Sequence, residues 1–238
     1  LRLHLHDDLM ISKKTGPTDL VTQMDQQVQK DLVEKITHRY PEDRIFAEEN
    51  GLRSPISEGS VWVIDPIDGT NNFVTQKEDF AVMVAYFEDG IGQFGLIYDV
   101  MRDHLFYGGG EFPVYRNEVE LTPFVDQPLE NLLIASNVGM LEKNDWGMAD
   151  LGMDSLGIRV YGSAGISFSK ILSGGILAYF SYIWPWDYAA AAIMGEQLGY
   201  TVLNLNGDKP NYQSVEPIMM VPKVKLTEIQ TYLKKGRS

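Results

Sequence analysis

The sequence predicts an α+β protein: a mainly antiparallel N-terminal sheet with helices over residues 1–122, then an α/β half over residues 123–238. Three observations carry that class. A four-residue apolar recurrence marks an early helix, three strand-like runs follow one another at meander spacing, and strands alternate with helices in the second half.

The chain opens at LRLHLHDDLMISKK, in mid-pattern and without an initiator methionine, which sets the expectation that an N-terminal helix is truncated or missing from this sequence. His4 and His6 would share a face only on a strand and have no other ligand type nearby, so they read as surface or packing residues. After the break at Gly16-Pro17, apolar side chains at Met24, Val28, Leu32, Ile36 and Tyr40 draw one helix face, which Pro41 ends. Arg44–Ala47 reads as a short strand running into Glu48-Glu49-Asn50, and a polar loop over 52–60 leads to the strand Val61–Ile64. Strands over 80–87, 92–100 and 104–107 are punctuated by Glu88-Asp89-Gly90 and by a turn near Arg102. Tyr107-Gly108-Gly109-Gly110 reads as a loop, since no helix follows it. The polar, proline-containing stretch Thr122–Pro128 is the predicted seam. Beyond it, strands at 132–135 and 158–161 alternate with helices at 164–172, stopped by Gly174-Gly175, and 187–198, stopped by Gly199.

Composition narrows the function. Apolar residues make up 44% and charged residues 22% of the 238, the balance of a soluble globular chain with little room for long disorder. No run is apolar for the roughly 18–20 residues a membrane span needs, no signal segment opens the chain, and there are no cysteines, so a cytoplasmic protein without disulfides or thiolate metal sites is expected. A net charge of −13 without basic clusters opposes nucleic acid as a partner.

The chemistry concentrates in acids. Asp65 and Asp68 follow the Val61–Ile64 strand around Pro66, before Gly69. Asp-Gly is also an ordinary turn signal, and Asp187 and Asp25 have plain readings as helix-capping residues, the latter in a capping box with Thr22. Against those readings, Glu48, the Asp65 and Asp68 pair, Asp187 and Asp25 lie at the ends of four different elements, the arrangement from which oxygen-ligand sites for Mg²⁺ are built.

Glu48-Glu49, the string VWVIDPIDGTNNF and the later Trp186-Asp187-Tyr188-Ala189-Ala190 resemble the inositol monophosphatase family of magnesium-dependent, lithium-sensitive phosphatases, over nearly the whole chain from Lys14 onward. The resemblance implies a layered αβαβα sandwich, frequent dimerisation, a small phosphorylated metabolite as partner, and about two or three Mg²⁺ ions. Glu48, Asp65 and the Ile67 carbonyl would hold the first; Asp65, Asp68 and Asp187 the second. It further implies that Gly69 and Thr70 offer main-chain N–H groups to the phosphate beside Asp68 and Asp187, and that Thr70 and Asp25 orient the attacking water on the metal that Glu48 holds. The Gly162-Ser163-Ala164 turn and Ser136 would face the substrate, with Lys14 near the site. Members that prefer inositol phosphate usually carry a glutamate shortly before the Trp-Asp pair. Here Tyr179–Asp187 is apparently one residue shorter and holds no acid before Asp187, which leaves room for fructose bisphosphate, the 2′-phosphate of NADP or a 3′-phosphoadenosine nucleotide; its aromatics read as core or dimer interface rather than a stacking platform. A reading from another class is a regulatory binding protein that keeps the metal site.

Overall fold

Alternation along one strand sets the layering. In the strand Ser60–Asp68, Val61 and Val63 face a core shared with the second half of the chain, while Trp62 and Ile64 face a separate cluster with Leu32, Val33 and Ile36. The computed structural model describes residues 1, 2, 5, 11–13 and 20–235. Lys14, His4 and His6 lie outside these.

A short antiparallel pair, β1 (Ile11–Lys13) and β2 (Leu20–Thr22), precedes α1 (Gln23–Arg39). The first sheet then forms from β3 (Arg44–Ala47), β4 (Ser60–Asp68), β5 (Ala81–Glu88), β6 (Ile91–Asp99), β7 (His104–Gly109), β8 (Phe112–Arg116) and β9 (Val119–Glu120), in that spatial order, with α2 (Thr70–Thr75) between β4 and β5. Only β3 and β4 run parallel; the rest is an antiparallel meander. The second half supplies β10 (Leu133–Ser136), α3 (Val138–Glu142), α4 (Met148–Asp154), β11 (Gly157–Arg159), α5 (Ala164–Leu172), β12 (Ala178–Ile183), α6 (Pro185–Gln197), β13 (Tyr200–Asn204), β14 (Glu216–Pro222) and α7 (Leu226–Lys235). Its sheet has the order β11-β10-β12-β14-β13, parallel across β11, β10 and β12 and antiparallel beyond.

Helices α5 and α6 lie between the sheets. Ile166, Phe168, Ala189 and Met194 share one core with Val63, Met83 and Ile97 of the first sheet and with Tyr179, Ile218 and Met220 of the second. On the far face of the second sheet, Phe180, Met219 and Val221 pack against Leu151 of α4 and Ile229 and Leu233 of α7. With α1 outside the first sheet, the layers run αβαβα, as the resemblance implies.

Several local differences have physical reasons. Strand β4 runs on through Pro66 to Asp68 because a register shift between Asp65 and Asp68 takes the proline, which has no N–H, out of the ladder. Gly108 and Gly109 belong to β7 rather than a loop: a Cβ on Gly108 would lie 2.2 Å from the Pro113 carbonyl oxygen, and one on Gly109 2.7 Å from that of Ile193. Helix α6 starts at Pro185, a residue suited to a first helical position, so Asp187 is the third helical residue and not the N-cap, and its carboxylate accepts from the Trp184 N–H. Strand β12 escapes notice in the sequence because nearly all of it is buried and its polarity does not alternate.

Candidate active site

The parallel β3–β4 pair brings two acids to one edge. Ala47 is in register with Ile64, and the Glu48 N–H donates to the Ile64 carbonyl at 3.1 Å, so Glu48 follows β3 where Asp65 follows in β4. The β4 irregularity then turns the chain so that Asp68 faces the start of α5. Helix α6 brings in Asp187 by close contact with the sheet: a Cβ on Gly95 of β6 would lie 2.4 Å from the Ala190 carbonyl oxygen, an approach that the Ala189–Ala192 run permits.

Asp65, Asp68 and Asp187 converge, each offering a carboxylate oxygen within 4.8 Å of the others. Asp65 and Asp68 are buried, and Asp187 is partly exposed. Burial first, then the charges of Glu48, Asp68 and Asp187, hold the Asp65 carboxyl well above the usual carboxylate range. Asp187 is raised likewise by burial and by Asp68 and Glu48, against the Trp184 N–H that donates to its Oδ2 at 2.7 Å. Glu48 stands outside the trio, yet close enough for its charge to act on both.

Asp68 is raised by burial but is better served. Ser163 Oγ and the Gly165 N–H (2.7 Å) donate to Oδ2, and the Ala164 N–H (3.0 Å) donates to Oδ1. The Gly162-Ser163-Ala164 turn thus spends donors on a neighbouring carboxylate. Gly69 allows that contact: its φ is +85°, and a Cβ there would meet the Ser163 Cβ at 2.9 Å.

Asp25 serves two partners with its two oxygens. Oδ2 accepts from the Thr22 N–H (2.8 Å) and hydroxyl (2.6 Å), completing the capping box of α1, while Oδ1 lies 3.0 Å from the Thr70 hydroxyl. The Ile67 carbonyl is 3.1 Å from the same hydroxyl.

One buried atom of the carboxylate trio is left over. Asp65 Oδ1 has no hydrogen-bond partner among the described residues. An unpaired buried carboxylate oxygen, clustered with further carboxylates, fits a hard divalent cation and no softer metal, since the donors are all oxygen. Beside it, Asp68 and Asp187 form part of a cleft of about 290 Å³ whose walls include Ser136, Gly162, Ser163 and Ala164. Of the described residues predicted for the site, Asp68, Ser136, Gly162, Ser163, Ala164 and Asp187 line this cleft and Asp65 joins Asp68 and Asp187 in the carboxylate cluster, whereas Asp25, Glu48, Ile67, Gly69 and Thr70 are not among the cleft's lining residues. Sequence reasoning missed Ser181, Tyr179 and Tyr182, which line the same cleft from β12. The aromatics ahead of Asp187 divide: Tyr179, Phe180 and Trp186 are buried, whereas Tyr182 and Trp184 are exposed.

Such a carboxylate cluster on a layered αβαβα sandwich is that of a metal-dependent phosphoric monoester hydrolase. The chain belongs to the inositol monophosphatase family, whose model matches residues 1–236. It is 37% identical over 210 residues to the inositol-1-monophosphatase of Bacillus subtilis (strain 168), covering 86% of this chain and 79% of that protein. With inositol monophosphatase 1 of Mus musculus it shares 29% over 218 residues, 87% and 79% of the two chains. Among solved structures, an IMPase/NADP phosphatase complexed with Mg²⁺ and phosphate superposes with a TM-score of 0.88 at 26% identity, covering 97% of this chain and 88% of that one. Staphylococcal IMPase-II gives 0.83 at 31% identity over 89% and 82%.

Proposed function

We propose that this protein uses Mg²⁺ to hydrolyse a small phosphate monoester in the cleft beside Asp68 and Asp187, with residues 1–122 supplying most metal ligands and residues 123–238 completing the site. The observation that supports this most directly is the partnerless Asp65 Oδ1 within a cluster of carboxylates. Glu48, Asp65 and the Ile67 carbonyl on one side, and Asp65, Asp68 and Asp187 on the other, are the groups to hold about two ions, a third being open to the substrate's own oxygens. Bound there, Mg²⁺ supplies positive charge against the phosphoryl and leaving oxygens and makes water more acidic.

The protein's own groups do the rest. Thr70 has one hydroxyl proton, and the Asp25 carboxylate is a stronger acceptor for it than the Ile67 carbonyl. That commits the proton inward and turns the Thr70 oxygen outward, as an acceptor that orients the attacking water. The water's proton passes to Thr70 Oγ as Thr70 yields its own to Asp25 Oδ1. Main-chain N–H groups of Gly69 and Thr70 face the phosphate oxygens. Holding these groups in place before substrate arrives is what lowers the barrier.

For the substrate, a nucleotide 2′- or 3′-phosphate is the second reading beside inositol 1-phosphate or a sugar bisphosphate. What favours it is the cleft mouth, where Val138, Val160 and Tyr182 are exposed and, among the described residues lining the cleft, the only acids are Asp68 and Asp187. Solved relatives include IMPase/NADP phosphatase with NADP and Ca²⁺ and staphylococcal IMPase-II with 2′AMP and with inositol monophosphate. Phosphate release from inositol 1-phosphate, fructose 1,6-bisphosphate, NADP, 2′-AMP and 3′-phosphoadenosine 5′-phosphate, with Mg²⁺ and with EDTA, tests both readings. Turnover of at least one ester that vanishes with EDTA is expected. No release from any, or release unaffected by EDTA, refutes the proposal; no release also favours a regulatory binding role.

A further inference from the structure

The turn that carries Glu48 and Glu49 is held from two sides. Its chain reverses through Asn50 and Gly51, both at positive φ (58° and 68°), and closes with the Ala47 N–H donating to the Leu52 carbonyl at 3.0 Å. From α1, the buried Gln29 side chain grips the Glu49 peptide, donating to its carbonyl and accepting from its N–H, each at 2.8 Å. Gln29 lies one helical turn beyond Asp25, on the same face.

Arg53 is the second clamp. It sits opposite Phe46 across the closed turn, and its guanidinium reaches back to donate to the carbonyls of Ala47, Leu52 (3.0 Å) and Glu48 (3.3 Å). The same planar group lies over the Trp186 ring, 4.6 Å from its centroid, and 5.7 Å from that of Phe46. Trp186 is itself stacked on Trp184, at 4.8 Å and 9° between planes, and met edge-on by Phe46 at 5.6 Å. Asp187 is the next residue, and its carboxylate is fixed by the Trp184 N–H. One guanidinium thus ties the turn bearing Glu48 to the two tryptophans that place Asp187. Only arginine does both: its rigid fork spans several carbonyls while its flat face stacks on an indole, and lysine offers a single compact charge.

We propose that Arg53 is a positioning residue for metal binding, setting Glu48 and Asp187 at a fixed separation across the cluster. This rests on the functional reading above. Its effect falls on the concentration of Mg²⁺ needed to fill the site, and not on the chemical step once the site is full.

The test is a Mg²⁺ titration followed by thermal shift, with Mg²⁺ alone as the probe, on wild type, Arg53→Lys and Arg53→Gln, together with phosphate release at saturating Mg²⁺. Expected for both variants is a half-saturating Mg²⁺ concentration raised about tenfold or more, a size typical for residues that hold metal ligands in place. Metal-free Tm stays within a few degrees, and kcat at saturating Mg²⁺ stays within about threefold. Trp186→Phe, which keeps an aromatic face, shifts the midpoint less than Arg53→Lys does. An Arg53→Lys protein with an unchanged Mg²⁺ midpoint overturns the inference, whether or not its Tm falls, and leaves the functional reading standing. A wild-type protein with no Mg²⁺-dependent shift overturns that reading and this inference with it.

Discussion

Replacing Asp65 with asparagine removes one charge from a buried cluster without changing its shape. At 4.8 Å or less from its neighbours' oxygens, a fully charged Asp65 is opposed by about 3.5 kcal/mol or more from each ionised partner at an effective dielectric of about 20. Because its folded pKa lies above its unfolded value of 3.8, partial protonation relieves some of this. About 1–3 kcal/mol should remain at pH 7. The direction follows from linkage. Whatever stability this carboxyl contributes is fully present below its unfolded pKa and is lost as the pH rises through the raised folded value. In EDTA, therefore, Asp65→Asn should match wild type near pH 4 and melt higher than wild type at pH 7, by roughly 2–12 °C at about 2–4 °C per kcal/mol. Added Mg²⁺ at 100 times its Kd would stabilise wild type by about 2.7 kcal/mol and the variant far less. Calorimetry in EDTA and in Mg²⁺ across that pH range, with phosphate release alongside, makes the measurement. The reasoning fails if the variant melts lower than wild type in EDTA at pH 7, or if it keeps both the Mg²⁺ shift and turnover.

Two further substitutions separate chemistry from framework. Thr70→Val removes the hydroxyl that meets Asp25 and should cut kcat by about 10²-fold while shifting stability by only about 1 kcal/mol; an intact Mg²⁺-induced Tm shift would show that the metal site survives. Gly95→Ala places a methyl against the Ala190 backbone and should cost about 1–3 kcal/mol, with a raised Mg²⁺ requirement as α6 moves off the sheet, read by urea denaturation and the same titration.

The acids were legible because each sits beside a local signal. Asp65 and Asp68 straddle a proline and precede a glycine at the end of an apolar run, and Asp187 heads an alanine run whose use becomes clear only where Gly95 meets Ala190. The meander of the first sheet was equally plain, since its turns carry their own residue types. What could not be read was anything defined by a partner distant in sequence. Gln29 looks like any polar helix residue until Glu49 is found beside it, and Arg53 like any loop cation until Trp186 lies beneath it. Strand β12 hides because all of it but Tyr182 is buried, so its polarity carries no period. Helix α7 is different: Leu226, Ile229 and Leu233 have helical spacing that was there to be used.

The two oxygens of Asp25 have an evolutionary corollary. One closes the end of α1 whether or not any ester is ever cleaved, so a descendant that abandoned turnover would still be selected to keep Asp25 for folding. Asp65 has no such insurance: with Oδ1 unpaired and like charges pressing on it, the metal-free fold is better off without it. On the proposed reading, survival of Asp65 is the sharper sign of a retained metal site.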